Sequence, residues 1–292
     1  SPSRAVSETF EPGSVGKVIS MSGYLQMGLH KMSDQLSVPD HITQEGQTYK
    51  DSFDHGTERW TLAGILQNSS NVGMIMAGEN YPDEQRYEYL TKFGIGQPTG
   101  LNLPGESSGL LTNPSAWDLR TRNTILFGQG YTVNALQLNN VVATIANKGV
   151  KQQQSIIKST TDANGKTTES KKGEATRVVD EKVASDMMNA MESVAEGYNK
   201  FIKVDGYRMA AKSGTAEVQG SDGTLSSIIS DYSVVIPADN PRYAVTVVMK
   251  DPNGVFGGLT AGPVSAQICE FLMQKYEVPV SGPRKNAIPV TW

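Results

Sequence analysis

Arg208-Met-Ala-Ala-Lys212-Ser213-Gly214-Thr215-Ala-Glu-Val218 decides how this chain of 292 residues is read. Before it, apolar residues recur at helical spacing; within it the period falls to two, and the same period returns in residues 232–236 and 243–250. Helices, then strands, then one more helix predict α+β layers and exclude a βαβα alternation. Gly214 sits in mid-strand, where glycine weakens pairing and marks close approach by another backbone or a ligand. Lys212 supplies charge, Ser213 and Thr215 supply hydroxyls suited to a carboxylate, and a backbone N–H near Thr215 suits an oxyanion. Taken alone, these residues equally describe an edge-strand lysine beside a bulge glycine.

Working outward, Val15, Val18, Ile19, Met21, Leu25 and Leu29 predict a helix after the Glu11-Pro12-Gly13 turn, with Ser14 at its start and Gly23 weakening its second half. Thr61 caps a helix through Leu62, Ile65 and Leu66; Asn68-Ser69-Ser70-Asn71 interrupts it before Val72, Ile75 and Met76 resume. Asp83 is the predicted cap of a helix ending at Phe93-Gly94, and the Gly- and Pro-rich residues 94–109 are irregular. A helix from Ala135 ends near Gly149. Polar β-formers around Asn164-Gly165 predict a surface hairpin within 151–178. Val183, Met187, Met191 and Val194 mark a core-facing helix over 180–196. A last helix carries Val264, Ile268, Phe271 and Leu272, with Pro263 at its first position, and the tail beyond Tyr276 is extended. Residues 219–227 are predicted to form a mobile connection over one edge of a site.

Composition narrows the function. Lys+Arg 26 against Asp+Glu 30 gives a net charge of −4, and no stretch concentrates basic residues, so a nucleic-acid partner is not expected. Three histidines and the single Cys269 offer neither a Cys-rich zinc site nor an internal disulfide, which leaves chemistry without a metal or cofactor as the expectation. No apolar run spans a bilayer, and the chain starts with Ser, so it is read as a trimmed piece of something longer.

Ser14-Val15-Gly16-Lys17 sets a hydroxyl and an amine one helical turn apart, where a lysine of lowered pKa can take the serine proton. The spacing alone is weak, because Ser155-Ile156-Ile157-Lys158 repeats it in the polar β region, where a surface strand is expected. Ser69-Ser70-Asn71 adds a hydroxyl and an amide, and alone would be a helix cap.

The three in this order form the Ser-x-x-Lys, Ser-x-Asn, Lys-Ser/Thr-Gly set of the penicillin-binding proteins and serine β-lactamases. Glu11-Pro12-Gly13-Ser14, Phe93-Gly-Ile-Gly-Gln-Pro-Thr-Gly100, Leu103-Pro-Gly-Glu106, Phe127-Gly-Gln-Gly-Tyr131 and Pro237-Ala-Asp-Asn-Pro-Arg-Tyr243 extend the likeness. The chain resembles the transpeptidase domain of class B, cell-division-type penicillin-binding proteins over residues 4–276. It departs at Val15-Gly16, where Thr and a larger residue are common, at Ser213, where Thr is commoner, and at Asn134-Ala135, where Thr-Pro is frequent. Gly16 is expected to loosen the nucleophile's helix by about 1 kcal/mol relative to Ala.

The resemblance implies an antiparallel sheet flanked by helices plus an all-helical part, with residues 1–292 as one transpeptidase domain lacking its opening helix, two strands and membrane anchor. It implies a peptidoglycan D,D-transpeptidase on the extracytoplasmic face of the membrane, blocked covalently by β-lactams, with division proteins as partners of the missing parts. Ser14 attacks the penultimate D-alanine carbonyl and Lys17 takes its proton. Ser69 relays a proton to the leaving amine, while Asn71 positions the substrate amide and contacts Lys17. Lys212, Ser213 and Thr215, with Gly214 between them, hold the terminal carboxylate, and the N–H groups of Ser14 and Thr215 form the oxyanion hole. A β-lactamase or D,D-carboxypeptidase with water as acceptor, and a non-catalytic scaffold that docks division partners, are the alternatives. Fast deacylation needs a glutamate in a Glu-x-x-Leu-Asn context, and Leu101-Asn102 and Leu138-Asn139 carry Pro98 and Ala135 at that position, so a long-lived acyl-enzyme is expected.

Overall fold

Apolar spacing and caps set the element order, seen in a computed structural model that describes residues 1–219, 225–252 and 256–292. Helix α1 (Arg4–Ser7) is followed by a 3-10 turn, Gly13–Gly16, that runs straight into α2 (Lys17–Gln26). Four short strands come next: β1 (Gln35–Val38), β2 (His41–Gln44), β3 (Gln47–Lys50) and β4 (Glu58–Thr61). They pair as β1 with β4 and β2 with β3, both antiparallel. None was predicted, because four-residue strands that are half exposed carry no apolar run to read.

Thr61 caps α3 (Leu62–Gln67) as expected, its Oγ1 accepting from Gly64 N at 3.1 Å. Ser70 caps α4 (Asn71–Ala77) through Gly73 N at 2.9 Å. Asp83 is not a cap. Pro82 holds that position, and Asp83 opens α5 (Asp83–Lys92) with its carboxylate drawn to Arg122 Nε at 2.8 Å. Residues 94–109 are irregular, as expected. After α6 (Leu119–Thr124), α7 (Ala135–Ala146) starts with a capping box in which Asn134 and Gln137 satisfy each other's backbone N–H. Strands β5 (Val150–Gln152), β6 (Ser159–Thr161), β7 (Thr167–Glu169) and β8 (Ala175–Arg177) build the exposed hairpin region, β6–β7 closing around Asn164-Gly165.

Helix α8 (Glu181–Gly197) then leads into the main sheet of β9 (Ala210–Gln219), β10 (Leu225–Ile236) and β11 (Tyr243–Lys250), antiparallel in the order β11–β10–β9 among the described residues. Of the connection predicted as mobile, residues 220–224 lie outside the described residues, and Leu225 to Ser227 already belong to β10. Helix α9 (Gly257–Lys275) starts six residues before Pro263, which lies inside it. Gly257, Gly258 and Gly262 precede the expected start at Pro263, yet they belong to α9 and let it approach Gly214, Tyr198 and Ile202 where any Cβ would collide. The carbonyl that Pro263 leaves without a donor belongs to Leu259, which is exposed to water.

The period of two divides the sheet cleanly. Ala211, Tyr232, Val234 and Ile236 bury against Ala261, Cys269 and Met273 of α9. Ala210, Ala216, Ile229 and Val235 face the other way, into a core with Val18, Leu66, Leu138 and Met187 from the helical part. Lys212 lies on this second face, and Ser213 and Thr215 on the first. Strand β9 thus stands between two packed layers, and among the described residues its outer edge is unpaired, beside the turn that carries Ser14.

Candidate active site

Three elements meet along that edge. The turn at Gly13–Gly16 brings Ser14, the loop between α3 and α4 brings Ser69, and β9 brings Lys212 to Thr215. They line a cleft of about 420 Å³ whose walls also include Phe53, Phe127, Tyr198 and Phe201.

Lys17 is fully buried beneath Ser14. Its Nζ lies 2.9 Å from Ser14 Oγ, 3.0 Å from Ser69 Oγ and 2.6 Å from the Ser69 carbonyl. Burial, reinforced by the charge of Lys212 and opposed by Asp51, holds Lys17 well below the usual lysine range. A neutral amine has two hydrogens and one lone pair. The Ser69 carbonyl only accepts, so the lone pair is free to receive the Ser14 proton while the amine still donates to Ser69.

Ser69 is held at φ 54, the left-handed region, with its hydroxyl between two lysines: Lys212 Nζ approaches Oγ at 3.1 Å. With Lys17 and Lys212 donating to its oxygen, the Ser69 hydrogen is left to point into the cleft. Lys212 itself is 1% exposed and donates its other contact to the Ser213 carbonyl at 3.2 Å. Lys212 thus lies below the cleft wall, its ammonium directed to Ser69 Oγ and the Ser213 carbonyl, while Ser213, Gly214 and Thr215 line the cleft itself. Burial lowers the Lys212 pKa to about 8, against the opposing pull of Asp231.

Ser213 and Thr215 do face the cleft. The Ser213 hydroxyl is 2.9 Å from Tyr198 Oη, and Thr215 Oγ1 accepts from Gly257 N at 3.1 Å, tying the α9 start to the strand. Asn71 does not contact Lys17. Its Nδ2 donates to the Lys50 carbonyl at 3.3 Å, because the acceptors around Lys17 all come from Ser14 and Ser69.

Two glycines are there for space. A Cβ on Gly16 would strike the Tyr131 hydroxyl and the Gly128 backbone, so the expected loosening by Gly16 gives way to a packing requirement. One on Gly214 would fall 2.6 Å from Asp231 Oδ1 and 2.5 Å from the Pro12 carbonyl. Asp231, opposite Gly214 in β10, is fully buried, and neither of its carboxylate oxygens has a hydrogen-bond partner among the described residues. Burial raises its carboxyl well above the usual range, against the pull of Lys212.

The second Ser-x-x-Lys is exposed, as expected, but it lies in an irregular stretch between β5 and β6 and not in the expected strand, with the Ser155 hydroxyl folded back onto the Ile157 carbonyl at 3.0 Å. The sequence reading missed Asp51, His55, Tyr198 and Asp231, which reach the site only through the fold. For Asp231 there was a signal, an acid inside an apolar alternating strand.

The profile described as "Penicillin binding protein transpeptidase domain" matches residues 2–270. Penicillin-binding protein PbpB of Mycolicibacterium smegmatis is 34% identical over 95% of this chain, and peptidoglycan D,D-transpeptidase FtsI of Escherichia coli is 34% identical over 91%. The chain spans under half the length of these relatives, 45% and 44%. A peptidoglycan synthetase from Bifidobacterium adolescentis superposes with a TM-score of 0.95 at 69% identity, covering 99% of this chain and 53% of that one. Penicillin-binding protein 3 of Mycobacterium tuberculosis, solved with ampicillin, superposes at 0.92 with 32% identity, covering 99% of this chain and 67% of that one.

Proposed function

The chain belongs to the penicillin-binding protein transpeptidase family, and from that premise we propose that it is a D,D-transpeptidase that cross-links peptidoglycan stem peptides through an acyl-enzyme on Ser14. The observation that carries the reading is Lys17 Nζ, fully buried and 2.9 Å from Ser14 Oγ. Ser14 gives its proton to the Lys17 lone pair as Oγ attacks the carbonyl preceding the terminal D-alanine. Ser69, hydrogen-bonded to Lys17, then passes a proton to the departing amine, so the lysine returns to its neutral form. Ser213 and Thr215 offer hydroxyls to the terminal carboxylate, Lys212 supplies positive charge beneath them, and the Ser14 and Thr215 N–H groups receive the oxyanion.

Division-protein partners and anchoring at the extracytoplasmic face of the membrane are part of this proposal, suggested by the cell-division type of the motifs. No helix among the described residues is long and apolar enough to cross a membrane. β-Lactams are the covalent inhibitors this mechanism admits, and the relative from Mycobacterium tuberculosis has been solved with ampicillin and with aztreonam.

Transfer to an amine, not hydrolysis, is favoured by the cleft lining, which among the described residues consists of hydroxyls, amides, glycines and aromatic or apolar side chains without a carboxylate. Leu138 and Asn139 lie in α7, with Asn139 Nδ2 on Thr246 Oγ1 at 3.2 Å, so this Leu-Asn pair brings no base to the cleft. A thioester analogue of the stem peptide, mixed with the protein and D-alanine, is the test. Amide product outrunning hydrolysis supports the transpeptidase; hydrolysis unaffected by the amine favours the carboxypeptidase alternative.

A further inference from the structure

Behind the Ser69 loop lies a polar cluster whose only part in the proposed mechanism is the pull of the Asp51 charge on Lys17. Asp51 follows β3, and its side chain is wholly removed from solvent. Its carboxylate accepts from three donors: Ser70 Oγ at 2.7 Å, Val72 N at 3.0 Å and His55 Nε2 at 2.8 Å. Ser70 in turn accepts from Gly73 N, so its single hydrogen is committed to Asp51. Asp51 therefore grips the first turn of α4 at two points on either side of Asn71, and Asn71 is also tied to Lys50, the residue before Asp51.

His55 completes the cluster. Its Nδ1 lies 2.6 Å from the Gly56 carbonyl, which can only accept, and its Nε2 faces a carboxylate oxygen that already receives a hydroxyl. Both ring nitrogens thus face acceptors, an arrangement that favours the imidazolium. Its side chain is 5% exposed and packs between Phe53 and Trp60 at 5.0 Å from each ring. Burial opposes the charged form, but the hydrogen bonds to Asp51 and Gly56 outweigh it and raise the His55 pKa.

We propose that Asp51 and His55 are positioning residues for the acylation step, an ion pair that clamps Ser70 and Val72 and so fixes Ser69 between Lys17 and Lys212. Ser69 is next in chain to the clamped residue and holds a left-handed backbone that only surrounding contacts maintain. His55 makes the clamp affordable, because an unpaired carboxylate at this depth would be expelled or neutralised. Neither residue touches the substrate. Their effect falls on the proton relay and leaves the carboxylate contacts at Ser213 and Thr215 alone.

The proposal rests on the acyl-enzyme reading above, and the test separates the two. Nitrocefin, a chromogenic cephalosporin, is mixed by stopped flow with the wild-type protein, His55→Gln, His55→Leu and Asp51→Asn, yielding burst amplitude, acylation rate constant and pre-covalent dissociation constant. Absence of a burst in the wild type overturns the acyl-enzyme reading itself. With that burst present, we expect His55→Leu and Asp51→Asn to acylate about 10–100-fold more slowly with the dissociation constant within threefold of wild type. His55→Gln, whose amide still donates to Asp51 but carries no charge, is expected to fall between wild type and His55→Leu. A purely structural role lowers the burst amplitude and leaves the rate constant of the folded fraction unchanged, and that result overturns the proposal. So does a glutamine variant as slow as the leucine variant.

Discussion

The chain carries Ser-x-x-Lys twice, at Ser14–Lys17 and at Ser155–Lys158, and the two copies differ in everything but spacing. Lys17 is buried and shares its amine with Ser14 and Ser69; the second copy lies in an exposed stretch, with the Ser155 hydroxyl spent on its own backbone. A three-residue interval brings a hydroxyl near an amine, but it is desolvation and a second cation that draw the amine's pKa down toward that of a base. Those come from elsewhere in the chain: the loop after α3 covers the amine, and β9 supplies Lys212.

The contrast can be broken most severely at the lysines. Lys17→Arg, which stays protonated, is expected to slow acylation by a β-lactam about 10²–10⁴-fold, while Lys158→Arg leaves it unchanged, both read by stopped flow. Equal loss in the two variants would show that burial is not what distinguishes the copies.

The second cation gives a pH signature. Lys212 loses its proton above about pH 8, so acylation is expected to decline on the alkaline side, and Lys212→Arg shifts that decline to higher pH. Stability moves with the opposite sign. Between about 8 and the ordinary lysine value of 10.5 the unfolded chain binds more protons at this residue than the folded one. The contribution of Lys212 to stability therefore rises with pH across that window. A chemical-denaturation series from pH 8 to 10 checks this: its upward slope is expected to shrink in Lys212→Met.

A smaller difference separates two serines. Ser70→Ala removes the α4 cap and a partner of Asp51, for an expected loss of about 1–2 kcal/mol in urea unfolding. Ser155→Ala on the exposed hairpin side is expected to stay within about 0.5 kcal/mol.

These differences also mark what the sequence disclosed. The Thr61 cap, the α3–α4 interruption, the Asn164-Gly165 hairpin and the strand bearing Lys212 were legible because each depends on neighbours a few residues away. The ordered motifs named Ser14, Lys17, Ser69 and Lys212, and the fold brings all four together. The burial of Lys212 and the partner of Asn71 were not legible, since the first depends on which face of β9 turns to α8 and the second on strands too short to leave a pattern. Pro263 misled for a related reason: the residues before it belong to the helix, and Gly257, Gly258 and Gly262 are where α9 presses against Gly214, Tyr198 and Ile202. Asp51 and His55 lie in a polar stretch whose meaning appears only when Ser70 and Val72 fold onto it.

The central claim is that one of two equally spaced serines is a nucleophile and that its ester is long-lived. Intact-mass and peptide-mapping mass spectrometry after brief exposure to benzylpenicillin, followed by removal of excess drug, tests both parts. The account predicts one penicilloyl adduct, on the peptide containing Ser14, absent in Ser14→Ala, retained in Ser155→Ala and persisting long after the drug is gone. An adduct on Ser155, or an adduct on Ser14 that turns over many times per second, would contradict it.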